Sequence, residues 1–176
     1  MAIRKIITIE NPILRQKAKK VRRFDPSLQK LVNDMFETMH ANNGVGLAGP
    51  QIAQSIRVLV AEYEDEEAGK HYKTALFNPE IIKAEGEARG SEGCLSIPGY
   101  LGENIRRATK ITVKAQDVHG KPVKVQAEGW FARILQHEID HLDGILFIDR
   151  LDSPDDLYEV KPEDLEEAAE EAPVLE

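Results

Sequence analysis

Residues 130–144, WFARILQHEIDHLDG, constrain this chain more than any other stretch. Trp130, Phe131, Ile134, Leu135, Ile139 and Leu142 fall on nearly every side of a helix, so protein must surround it on most faces. Gly144 closes the helix. The same helix also carries His137, Glu138 and His141, an H-E-x-x-H pattern. Two imidazoles and a carboxylate on a buried helix cost several kcal/mol unless they are paired or ligated. The rest of the chain must therefore wrap this helix and supply partners for its polar groups.

Residues four apart on a helix lie on one face, about 5–6 Å apart at Cβ. His137 and His141 can thus hold one metal ion. Glu138 is rotated by about 100° from His137 and can reach a water beside that ion. The bland alternatives are an exposed polar patch or two satisfied core histidines, and the surrounding apolar residues weigh against both. Two ligands are too few, because catalytic sites usually have three from protein. Candidates for the third are Cys94, His40, His71, His119 and the carboxylates. Cys94 is the only cysteine and lies in a glycine-flanked segment, but a lone cysteine is commonly just a small buried hydrophobe. Spacing alone leaves the choice open.

Elsewhere, residues 25–43 read as a second helix. Asp25 can cap it, Pro26 suits its first turn, and Leu28, Leu31, Val32, Met35, Phe36 and Met39 form one stripe. Residues 44–51 (GVGLAGPQ) read as a shaped loop. Strands are predicted over 56–63 and over 71–82 with an Asn-Pro break. Residues 91–99 read as an irregular segment, 111–129 as a hairpin turning at His119-Gly120, and 145–151 as a short apolar run. Strands clustered between two helices without βαβ alternation predict an α+β fold. Mostly antiparallel sheets would pack around the central H-E-x-x-H helix.

The net charge of −8 conceals a division. Residues 152–176 hold eleven acidic side chains and one basic, so the preceding 151 residues carry about +2. The expectation is one domain over 1–151 and an acidic tail over 152–176, flexible or loosely helical. A charge of +2 over 151 residues marks no nucleic-acid footprint. With one cysteine, no signal-peptide pattern and no apolar run long enough to span a bilayer, a cytoplasmic protein without membrane contact is expected.

Three segments together resemble the peptide deformylase family: Gly44-Val45-Gly46-Leu47-Ala48-Gly49-Pro50-Gln51, Glu92-Gly93-Cys94-Leu95-Ser96 and Gln136-His137-Glu138-Ile139-Asp140-His141. Asn11-Pro12-Ile13-Leu14-Arg15 is similar to the family's N-terminal stretch, and the resemblance spans roughly residues 5–150. It implies a hydrolase that removes the formyl group from the N-terminal methionine of nascent polypeptides. Cys94, His137 and His141 would hold one Fe(II), replaceable by Zn, Ni or Co. Glu138 would take a proton from water and deliver it to the leaving amine. Gln51, through its side-chain amide, and Leu95, through its N–H, would stabilise charge on the formyl oxygen. Gly46, with Val45 and Glu92, would bind substrate. The implied partners are formyl-methionyl nascent peptides, with no DNA.

Two features depart from the family pattern. Position 49 is Gly where the family more often has Ala, which implies a more flexible loop beside Gln51. Residues 99–104 (GYLGEN) lack the basic residue some members place near the substrate. Outside the motifs, the basic run Arg15, Lys17, Lys19, Lys20, Arg22 and Arg23 reads as a solvated face or a weak, transient ribosome contact. The competing readings are an H-E-x-x-H zinc peptidase and a domain with a structural metal. The first wants a further His or Glu downstream, and no histidine follows His141; the second wants four protein ligands.

Overall fold

The structure is a computed structural model, and it describes residues 2–161 and 163. Helix α1 spans Ser27–Ala41. Asp25 Oδ1 accepts the Ser27 N–H at 2.9 Å, ahead of the predicted start. Leu28, Leu31, Val32, Met35 and Met39 are buried, facing Leu47, Val58, Val60 and Phe77. Each such side chain contributes about 1.5–3 kcal/mol of burial. The helix runs out before Asn43, which takes a left-handed φ of 57°.

The main sheet comprises β1 (Gly46–Ala48), β2 (Val58–Asp65), β3 (Lys70–Glu85), β6 (Lys110–Gln116) and β7 (Pro122–Glu128), in the order β1-β2-β3-β6-β7. A second sheet, β4-β5-β8, comprises β4 (Ala88–Gly93), β5 (Tyr100–Arg107) and β8 (Leu157–Glu159). Neighbouring strands within both sheets are antiparallel. The expected Asn-Pro break is an irregularity inside one long β3. Asn78 sits at φ 50°, where its side chain exchanges hydrogen bonds with the Val21 backbone at 2.8 Å each way. That ties the extended N-terminal segment to the sheet.

Helix α2 (Gly129–Leu142) lies between the sheets, with every residue from Phe131 to Leu142 buried. One face packs on Ala48, Leu59, Leu76 and Ile111 of the main sheet. Beyond it, Ile105 of β5 packs with Cys94, Ile97, Leu146 and Phe147. Gly144, at φ 73°, turns the chain where a Cβ would sit 2.6 Å from the Arg15 carbonyl oxygen.

Three readings change. The loop at 44–51 contains β1 and a 3-10 turn at Gly49–Ile52. Strand β5 was not foreseen, because Gly102 and Asn104 interrupt its apolar pattern. The tail expected from residue 152 begins with structure: Leu157–Glu159 pair with Tyr100–Gly102, and Leu157 packs on the Phe147 cluster. Residues 162 and 164–176 of the expected tail lie outside the described residues.

Candidate metal centre and catalytic site

Helix α2 fixes His137 and His141 with ring centroids 5.0 Å apart. The turn that follows β4 brings in Cys94, whose Sγ lies 3.3 Å from His141 Nε2. One donor atom from each of Cys94, His137 and His141 lies within 4.8 Å of the others, and all three residues are buried. The remaining candidates for a third ligand are elsewhere. His40 and His71 both bond Glu62 on the surface, and His119 sits in the β6–β7 turn. The choice that spacing left open thus falls to Cys94.

The donor set suits a transition metal. His137 Nδ1 faces Glu92 Oε1 at 2.8 Å, while its Nε2 is buried without a protein partner. Since Glu92 can only accept, the proton sits on Nδ1 and leaves Nε2 its lone pair. Burial pushes the Cys94 thiol up to about 12 and holds His141 well below the ordinary histidine range. A neutral imidazole is ready to ligate, and a thiol in this environment ionises only with a cation beside it.

Glu138 is buried and its side chain makes no hydrogen bond among the described residues; its Oε2 has no partner. Burial first, and the negative charge of Glu92 second, raise its pKa well above the usual carboxylate value. Such a group takes up a proton more readily than an exposed carboxylate does. Its carboxylate lies against Gly46 of β1.

Gln51 is fully buried and locked at both ends of its amide. The Ala48 N–H donates to Oε1 at 2.9 Å, and Nε2 donates to Ser96 Oγ at 3.2 Å and reaches Cys94 Sγ at 3.5 Å. Its N–H₂ group therefore faces the metal ligands. The Leu95 N–H, next to Cys94, makes no hydrogen bond among the described residues. Val45 is half-buried, and Gly46 belongs to β1, an edge strand that pairs, among the described residues, only with β2.

The expectation that Glu92 binds substrate is corrected. It is fully buried and encircled by protein donors. Arg107 binds it through two nitrogens at 2.8 and 2.9 Å, Arg133 at 2.8 Å and His137 at 2.8 Å. Burial alone would raise its pKa, but the hydrogen bonds and charges of Arg107 and His137 outweigh this and hold it far below the usual range. Glu92 orients a metal ligand and leaves no face for substrate.

Sequence reasoning also missed the network behind it. Arg107 bridges from Glu92 to Asp140 at 2.6 Å, and Arg150 Nη2 holds Asp140 from the other side at 2.7 Å. The available signal was Arg133 and Asp140 themselves, two charged residues on a helix whose neighbours are apolar.

The sequence model of the family described as polypeptide deformylase matches residues 3–156. The chain belongs to the polypeptide deformylase family. A peptide deformylase of Dehalococcoides mccartyi is 49% identical over 164 residues, covering 93% of this chain and 95% of that protein. One from Thermomicrobium roseum is 46% identical over 175 residues, covering 98% of each. The crystal structure of peptide deformylase from Thermus thermophilus superposes with a TM-score of 0.80 at 42% identity, covering 96% of this chain and 94% of that one.

Deformylases are metal-dependent, and the Cys94, His137 and His141 group fits that chemistry. The glycine at position 49 has a packing reason. A Cβ there would lie 2.7 Å from the Gln54 carbonyl oxygen and 2.9 Å from that of Ile56. The turn that carries Gln51 is closely packed.

Proposed function

We propose that this protein is a metal-dependent amide hydrolase that removes the N-formyl group from the N-terminal methionine of nascent polypeptides, releasing formate. The observation that carries the reading is the convergence of Cys94, His137 and His141 beside a buried Glu138. An H-E-x-x-H peptidase drawing its third ligand from downstream is disfavoured, because the third donor here is a thiol from upstream.

Cys94, His137 and His141 hold the ion, which we assign as one Fe(II) per chain, replaceable by Zn, Ni or Co. The ion, when bound, makes water acidic enough to ionise near neutral pH. The substrate main chain adds along the free edge of β1 at Val45 and Gly46, the strand-addition mode open to an edge. Glu138 takes the proton from the attacking water and passes it to the departing amine. Negative charge on the formyl oxygen is met by the Gln51 amide and the Leu95 N–H. Loss of one such donor typically costs 10²- to 10³-fold in rate.

The protein is read as cytoplasmic; no helix of the described residues is long and apolar enough to cross a membrane. A transient ribosome contact is supported by charge that the whole-chain sum hides. Lys17, Lys20, Lys114 and Arg57 line, together with the acidic Glu80 and Asp143, a cleft of about 550 Å³. Arg57 pairs with Asp143, whereas none of the three lysines comes within salt-bridge distance of a carboxylate among the described residues. Co-sedimentation with ribosomes that falls with salt, and is lost in Lys17→Glu/Lys20→Glu/Lys114→Glu, is the expected result. Equal binding by that variant would remove the cleft from the reading.

The primary test is formate release from a formyl-Met-Ala-Ser peptide by anaerobically purified, Fe(II)-loaded protein, beside Glu138→Ala. Release by the wild type alone supports the assignment. No release from protein holding about one metal per chain refutes it.

A further inference from the structure

We propose that Gly46 is a positioning residue for Glu138: the missing side chain at position 46 is the space in which the carboxylate is seated. The proposal rests on the deformylase reading only for what the seating accomplishes. Glycine weakens a strand and needs a local reason. Backbone conformation supplies none, since Gly46 is not among the residues with positive φ. Main-chain pairing supplies none either, because any residue presents the same N–H and C=O.

The reason lies across the helix interface. A Cβ built on Gly46 would fall 2.5 Å from Glu138 Oε1 and 2.9 Å from both Cδ and Cγ. These are three successive parts of one side chain, so no small rotation clears all of them. Neither backbone can yield easily: Leu47 and Ala48 beside Gly46, and Ile134 and Leu135 on the helix, are fully buried.

A second observation points the same way. Catalytic carboxylates are commonly held by hydrogen bonds, yet Glu138 makes none among the described residues and its Oε2 is an orphan. Its place is set by shape alone. Filling the space at 46 therefore displaces the carboxylate while leaving Cys94, His137, His141 and the edge of β1 in place.

The test is a double-mutant cycle on the metal-loaded protein, using Gly46→Ala, Glu138→Ala and the pair, with kcat and KM on formyl-Met-Ala-Ser, metal per chain and the thermal midpoint as readouts. Gly46→Ala is expected to keep its metal and its KM within about threefold while kcat falls about 10²-fold, the scale of a 1 Å misplacement. In the Glu138→Ala background the same substitution is expected to leave the thermal midpoint unchanged, because the clash has gone. Equal losses of midpoint in both backgrounds, or a raised KM with kcat intact, would overturn the proposal. If Gly46→Ala does not fold, folding of the double variant supports the clash and its failure refutes it. A wild type without formate release would sink the functional reading, while the midpoint cycle would still decide whether positions 46 and 138 are coupled.

Discussion

At the scale of single residues, the proposed site separates the groups that would hold an ion, Cys94, His137 and His141, from Glu138, the group proposed to move a proton. Cys94→Ala removes one of three ligands and is expected to abolish stoichiometric metal binding, measured as metal per chain after desalting. Retention of metal would favour the downstream-ligand peptidase instead. Glu138→Ala is expected to keep its metal and lose about 10²- to 10⁴-fold in kcat, the usual worth of a general acid–base. Glu92 gives a pH prediction. Its folded pKa lies below the ordinary value of 4.5, so its contribution to stability is present above about pH 4.5 and is lost as pH falls below it. Melts in chelator between about pH 5 and pH 3 are expected to be less acid-sensitive for Glu92→Gln than for wild type. The residues legible in the sequence were those inside compact motifs. His137, Glu138 and His141 share one helix, and Cys94 is unique. Glu92 was misread because its partners, Arg107 and Arg133, lie 15 and 41 positions away in the chain, a distance that no local pattern spans.

At the scale of elements, the two helices and the β6–β7 hairpin were readable because each repeats a simple pattern over many residues. The short pieces were not. Strand β1 spans three residues, too few for alternation, and β5 gains its identity only from pairing with β4 and β8. The 3-10 turn after β1 carries a prediction of its own. Gly49→Ala would press a methyl group into two carbonyl oxygens, those of Gln54 and Ile56. Overpacking of this kind costs about 1–3 kcal/mol. A lower thermal midpoint together with a reduced kcat, as the Gln51 amide shifts, is the expected outcome. An unchanged midpoint would show that the 54–56 segment yields freely.

At the scale of the molecule, two sheets and a buried helix form one body, and the chain from Leu157 to Glu159 is part of it. We propose that residues beyond Lys161 take no part in turnover. A chain ending at Lys161 is expected to retain kcat/KM within about twofold, whereas one ending at Leu151 loses β8 and the cover Leu157 gives the Phe147 cluster, with a lower thermal midpoint. Charge was the least legible property at this scale, since a sum near zero over the body hid a cleft lined by four cations and two carboxylates. The edge position of β1 has a wider consequence. If substrate pairs there as proposed, recognition through amide and carbonyl groups takes no account of side chains at the paired positions, so one enzyme would serve polypeptides that differ widely beyond the formyl-methionine. The same mode makes it intolerant of backbone chemistry: proline, or an N-methylated amide, at the pairing position would be rejected whatever side chain it carried.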